Sequence, residues 1–159
     1  MPLIQNPIPA DLALVLERLE GTEARRRHLD QFSYANQRLP PGALRAILLQ
    51  RSAWIYATEA DGPIGFMVFP TPIPHHPNSF GMGIALEYCG RGHAKAALNE
   101  FVAQCPQLGL RELSGYCRND NLGMIAVLRA CGFAQIEHHD RGDSRAIHFR
   151  RPIGPAEPD

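Results

Sequence analysis

Apolar positions along this chain follow two rhythms, and one stretch shows both in succession. In residues 93–105, Ala94, Ala97, Leu98, Phe101, Val102 and Cys105 recur every three or four positions, the spacing of one helix face. Pro106, which has no amide hydrogen to continue the ladder, is expected to stop that helix. Just upstream, residues 79–86 are small, apolar and uncharged, as in a strand covered on both faces. Residues 87–92 lie between them with Gly90 and Gly92, which can take positive φ and turn backbone amides inward. The predicted order is strand, glycine turn, helix.

The same reading extends over the rest of the chain. Residues 3–8 suggest a short strand broken by Pro7, and Asp11 is placed to cap a helix running to Leu19, with Leu12, Val15, Leu16 and Leu19 on one face. Gly21 and Thr22 break it, and residues 23–37 predict a second, polar helix whose Arg25, Arg26, Arg27 and His28 read as a solvated face. Residues 42–51 add a helical segment through Leu44, Ile47 and Leu48. Residues 52–58 and 64–69 are rich in β-branched and aromatic side chains and are joined by Glu59, Ala60, Asp61 and Gly62, so an antiparallel hairpin is expected. A proline-rich loop over 71–79 leads to the central strand. After the glycine-turn helix come a strand at 111–117, a helix capped by Asn121 and ended near Gly132, and strands at 133–139 and 145–150. Arg141-Gly142-Asp143 falls between the last two and predicts a hairpin turn.

At 159 residues the chain is long enough for one domain, expected over 1–151, with 152–159 as a mobile tail lacking core residues. A formal net charge of zero supplies no field for nucleic acid or an anionic membrane. The N-terminal residues lack the basic and continuous apolar regions of a secretion signal, and a cytoplasmic protein is the expectation. Cys89, Cys105, Cys117 and Cys131 form no C-x-x-C pair, which predicts free thiols. Neither His75-His76 nor His138-His139 has metal-ligand spacing, because neighbours on an extended strand point to opposite sides, and no metal is expected.

Chemistry enters at the glycine turn. The unpaired amides of a first helical turn and the partial positive charge there form an anion site, and Arg91 and Lys95 add two cations, so a polyphosphate is the predicted guest. A dinucleotide fingerprint needs a third glycine where Lys95 stands, and a P-loop needs Gly-Lys-Ser/Thr; neither fits. Cys89, Gly90, Arg91, Gly92, His93 and Ala94 match the coenzyme A loop of the GNAT superfamily of N-acetyltransferases at all but its first place, and E-Y-C-G-R-G-H-A-K-A-A-L resembles the RimJ/RimL-like branch more closely. Residues 121–133, N-L-G-M-I-A-V-L-R-A-C-G-F, are similar to that branch's asparagine motif, with Asn121, Val127, Leu128, Gly132 and Phe133 at the right offsets.

The resemblance implies an α+β fold: an α/β/α sandwich around a mixed, mostly antiparallel sheet with a splayed middle. It implies acetyl transfer from acetyl-coenzyme A to a primary amine of a small molecule or peptide, with the loop from Gly90 through Arg91, Gly92, His93 and Ala94 to Lys95 holding the pyrophosphate. The backbone of Met82, Gly83 and Ile84 would hold the pantetheine arm, Leu128 would lie beside the coenzyme, and Asn121 would position pantetheine or a water unless it serves purely as a helix cap. Gly81 and Gly83 either leave room for that arm or form a bulge. Homodimers are common in the family. Leu128 occupies the place where many relatives carry a tyrosine acid, and Met124 replaces a frequent serine, so a coenzyme-binding module without catalysis is the alternative. Glu87, Tyr88, His75, His76 and Tyr116 are the candidate bases near the site.

Overall fold

The structure, a computed structural model, describes residues 2–31, 39–50, 52–71, 78–136 and 146–154. The first strand is shorter than expected, Leu3–Ile4 (β1). Helix α1, Pro9–Glu20, begins before Asp11: Pro9 sits in the first turn, where its missing N–H costs no hydrogen bond, and Asp11 lies inside the positive end of the helix without capping it. Thr22 then caps α2, Glu23–Asp30, by accepting from the Arg25 amide at 3.2 Å. Most of the predicted extension of α2, residues 32–37, lies outside the described residues. Helix α3 is Ala43–Leu48.

Strands β2 (Ala53–Thr58) and β3 (Gly62–Val68) form the predicted antiparallel hairpin. Their register shifts where Tyr56 pairs with Gly65 and Ala57 with Pro63, leaving Ile64 as the extra residue of a β-bulge. That bulge changes the face on which side chains emerge, so Ile64 packs in one core while Phe66 and Val68 pack in the other. Strand β4 is Ser79–Ile84, followed by a single 3-10 turn at Leu86–Tyr88 and helix α4, His93–Gln104. Pro106 does end α4, through a second 3-10 turn, Cys105–Leu108. Strand β5 is Glu112–Arg118, helix α5 is Leu122–Ala130, and the final strands are β6 (Ala134–Gln135) and β7 (Ala146–Pro152).

These strands make one seven-stranded sheet in the order β1-β2-β3-β4-β5-β7-β6. Neighbours are antiparallel apart from β4 and β5, which run parallel and, among the described residues, pair at Ser79 with Ser114 and at Phe80 with Gly115. Beyond Phe80 the two strands part. Strand β4 stays in continuous register with β3 from Gly81 to Ile84, so its glycines form no bulge; the irregularity belongs to β3. A side chain at Gly65 would put its Cβ 2.6 Å from the Gly83 carbonyl oxygen, so glycine there lets β3 close against β4.

Helices α1, α2 and α3 cover one face through Leu12, Val15, Leu19, Leu29, Leu44 and Leu48. On the opposite face α4 and α5 contribute Ala97, Leu98, Phe101 and Leu128, packed with Trp54, Met67 and Phe149. The result is the expected three-layer α+β sandwich. Its end differs from the expected boundary at 151: Pro152 is the last residue of β7, and Ile153 is buried with its amide donating to Arg111 O at 2.9 Å. Residues 155–159, the Arg141-Gly142-Asp143 turn and both histidine pairs lie outside the described residues. No helix among the described residues is long and apolar enough to cross a membrane.

Candidate active site

The parting of β4 from β5 opens a cavity of about 740 Å³. Its walls are the edge of β4 at Met82, Gly83 and Ile84, the turn and first helical residues Gly90, Gly92, His93, Ala94 and Lys95, and the start of α5 from Asn121 to Met124 with Val127. Gly90 and Gly92 have φ of +77° and +85°, the left-handed region that favours glycine, and a Cβ at either would meet no protein atom within 4 Å. Gly92 is the N-cap of α4 and no side chain caps that end, so the amides of its first turn rim the cavity without a side-chain partner of that kind. The His93 ring lies 6.2 Å from Tyr56.

Two predicted residues are placed differently from the expectation, and a third is placed as expected. Arg91 does not line the cavity; its guanidinium sits 5.5 Å over the Tyr88 ring, which also has Arg18 at 5.0 Å. Leu128 is fully buried in the core against Gly115 and is absent from the cavity wall, because the face of α5 that meets the opening is that of Met124 and Val127. Asn121 does reach the cavity, and its Oδ1 accepts from the Met124 amide at 3.1 Å, so the cap is formed.

A residue assigned from sequence to a solvated face turns out to line the cavity. His28 Nε2 lies 3.0 Å from Ile84 O and 3.2 Å from Cys89 Sγ. Its neighbours are engaged as well: Arg25 with Glu87 at 2.9 Å and Glu17 at 3.1 Å, and Arg26 with Glu20 at 3.4 Å and Leu39 O at 2.8 Å. Of that cluster Arg27 fits the expectation, with an exposed i,i+4 pair to Glu23. The signal that could have shown this is Leu29, the apolar residue of the run, since Arg25 and Arg26 stand four and three positions before it on the inward side.

The candidate bases separate on the same geometry. The hydrogen bond from Arg25 holds the Glu87 carboxyl below the usual carboxylate range, against the opposing effect of burial, so Glu87 is a poor proton acceptor near neutrality. Because its folded pKa is depressed, any stability from this pair is present above the ordinary carboxylate pKa and fades as pH falls through the lowered one. Both partners are exposed to solvent screening, so Glu87→Gln is expected to leave turnover within about twofold; a kcat profile across pH 6–9 (roughly, the working range) checks this. Tyr116 stacks on His148 with ring centres 4.3 Å apart, and His148 Nε2 lies 2.9 Å from Ser114 Oγ. His75 and His76 fall outside the described residues.

Tyr116 lines a second cavity of about 400 Å³. The two cavities share Gln31, Met82, Arg118, Asn121 and Met124, so they meet across the mouth of the strand opening. Arg118 is fixed there by Asp120, at 3.1 and 2.9 Å. Among the described residues no group of three or more metal-ligating side chains assembles. All four cysteines are free, with burial pushing Cys105 and Cys117 up to about 11.

A family model described as the acetyltransferase (GNAT) domain matches residues 3–134. The chain belongs to that family. Its fold recurs in solved structures of low sequence identity. A GNAT superfamily phosphinothricin acetyltransferase from Sinorhizobium meliloti, in complex with acetyl-coenzyme A, is 20% identical with a TM-score of 0.65, over 97% of this chain and 90% of that one. Spermidine N-acetyltransferase from Vibrio cholerae, in complex with coenzyme A and spermine, is 14% identical with a TM-score of 0.66, over 96% of each chain. Ribosomal-protein-S5-alanine acetyltransferase from Vibrio fischeri is 20% identical with a TM-score of 0.63, over 98% of this chain and 93% of that one. No curated protein matches the chain significantly.

Proposed function

We propose that this GNAT-family chain is an acetyl-coenzyme A-dependent N-acetyltransferase of the RimJ/RimL-like branch, acting in the cytoplasm by direct transfer to a primary amine. The observation that carries the reading is the junction of two cavities at the point where β4 leaves β5. A donor can enter from one side and an acceptor from the other, with their reacting atoms brought together beside Met82. The amides of Gly92, His93, Ala94 and Lys95, together with the Lys95 ammonium, would receive the pyrophosphate. Arg91, stacked on Tyr88 outside the cavity wall, would add its charge from the rim. Backbone groups of Met82, Gly83 and Ile84 along the parted edge of β4 would align the pantetheine arm, with the Ile84 carbonyl shared with His28, while Met124 and Val127 cover its apolar stretch.

In the reaction the amine nitrogen attacks the thioester carbonyl carbon, the new C–N bond replaces C–S, and coenzyme A leaves with its sulfur pair. Met124 and Leu128 cannot protonate that sulfur, but a thiol with a pKa of about 8.5 leaves without much acid help. The residues common to both cavities, Gln31, Met82, Arg118, Asn121 and Met124, include no carboxylate or imidazole to act as a base. The acceptor's proton therefore passes to water, with Asn121 holding the helix end, and any free part of its amide, at the junction.

Incubation with acetyl-coenzyme A and a panel of primary amines, following thiol release and product mass, tests the reading; binding without any acetylated product would favour the coenzyme-binding module, the alternative that leucine at 128 and methionine at 124 suggest. A footprint adds an independent check. Cys89 is exposed at the cavity wall, whereas Cys105, Cys117 and Cys131 are buried. Iodoacetamide should modify Cys89 first in the folded protein, slowly because partial desolvation of the thiol at the cavity wall and the charge of Glu87 raise its pKa, and saturating coenzyme A should slow that reaction at least about tenfold. Unchanged labelling, read by peptide mass spectrometry, would place the ligand elsewhere.

A further inference from the structure

Resting on the transferase reading, we infer that Arg118 binds the acceptor, and that the acceptor is an amine with a carboxylate beside its nitrogen, an α-amino acid. Arg118 lines both cavities, so its guanidinium stands where donor and acceptor would meet. Asp120 holds it along one edge: Nε donates to Oδ1 at 3.1 Å and Nη2 to Oδ2 at 2.9 Å. A guanidinium presents parallel N–H groups along more than one edge of its planar fork, and this contact spends the side-on pair. The end-on pair, from Nη1 and the second hydrogen of Nη2, has no acceptor among the described residues. Exposure shows which way it faces. The Asp120 side chain is 62% exposed and that of Arg118 19%, so the aspartate grips the fork from the solvent side. Among the described residues the buried polar side-chain atoms without a partner are Gln104 Nε2 and Arg151 Nε; Arg118 Nη1 is not one of them, and it therefore opens onto cavity space instead of packed core.

Two parallel N–H groups on a cation match the two oxygens of a carboxylate. Asn121, at the same junction, has spent Oδ1 on the Met124 amide, so what its side chain still offers is also N–H. Donors gathered at one place select a group that only accepts. A peptide in that position would offer one carbonyl oxygen to the pair and add an N–H of its own, so the free acid is the better match. Asp120 lies across the fork, so an incoming carboxylate meets the guanidinium at shorter range than it meets Asp120, and attraction prevails. Asp30, the other charged side chain described in the second cavity, already has a partner in the folded chain. The remaining wall mixes apolar side chains with Gln50, Ser52, Thr71 and Tyr116, so the head group is the feature selected. Held by Arg118, a carboxylate one carbon away keeps the amine nitrogen beside the thioester.

The test uses the full chain, acetyl-coenzyme A and mass detection of the N-acetyl product, with matched sets: an amino acid, its amide, a dipeptide that begins with it, and its decarboxylated amine, taken across acidic, polar, aromatic and aliphatic side chains. In the best set the free acid should show kcat/KM at least about tenfold above its relatives. Arg118→Gln should cut the preference for acid over amide at least about tenfold, chiefly through KM of the acid. Arg118→Lys should keep part of that preference, because an ammonium retains the charge without the fork. A ratio between substrates does not move with the amount of folded protein, so a role confined to stability would leave it unchanged. Arg118→Lys and Asp120→Asn, which releases the fork, carry the same readout with a smaller fall if the glutamine variant does not fold. Equal rates for acid, amide and amine in the unmodified protein, acetylation of polyamines or peptides alone, or an unchanged ratio in the Arg118 variants would overturn the inference and leave the transferase reading standing. Coenzyme A binding with no amine acetylated would overturn both in favour of the binding module, and no coenzyme A binding would remove the donor site itself.

Discussion

Replacing Gly92 with valine is expected to weaken coenzyme A binding about 100-fold or more. Gly92 holds φ +85° at the start of α4, and a Cβ there would point into open space, so the substitution meets no protein atom. It acts in two other ways: the left-handed backbone is strained for a β-branched residue by about 1–3 kcal/mol, and the new side chain would stand where, on the proposed reading, phosphate oxygens approach the amides. Losing two charge-assisted hydrogen bonds at roughly 1.5 kcal/mol each gives about 3 kcal/mol, which is two decades of affinity. The control is Gly109→Val. Gly109 has φ +76° with nothing within 4 Å and closes the 3-10 turn after α4, so it carries comparable strain away from the cavity. Calorimetry on both variants separates strain from site: equal affinities in the two would mean that the glycine turn does not hold the ligand.

Leu128→Ala should act on stability instead. Leu128 is fully buried between α5 and β5, and truncating such a leucine costs about 2–5 kcal/mol. For a domain of this size that lowers Tm by on the order of 10 °C. The protein that remains folded should bind coenzyme A within about twofold of the original. A variant with unchanged Tm but lost affinity would return Leu128 to the coenzyme site and contradict its placement in the core.

What could be read from the chain was whatever depends on local periodicity and backbone conformation. The run from Phe80 to Cys105 announced its strand, turn and helix because glycines and a helical apolar stripe act within a few residues of themselves. Asn121 was legible as a cap for the same reason. Leu128 was not, since which face of α5 turns to the opening is decided by how α5 packs on β5, and the motif preserves the position without its direction. His28 and Glu87 escaped for a related reason: their roles arise from partners 56 and 62 residues away, Ile84 and Arg25. The bulge at Ile64 likewise depends on pairing with β2 and leaves no mark in an alternating pattern. The second cavity needs α2, α3, β3 and α5 together, so it became visible once the helices were in place.

The brief contact between β4 and β5 bears on how the molecule comes apart. Four strands stand on one side of that contact and three on the other, and β5 is zipped to β7 through seven register pairs while it meets β4 through two. Such a seam divides the sheet into two cooperative lobes, coupled largely by α4 and α5 packing across it. Amide exchange in the empty protein should accordingly resolve two blocks that open at different rates. A guest laid along the seam would stitch them together, merging the blocks, so that occupancy would register as a change in the cooperativity of the whole domain.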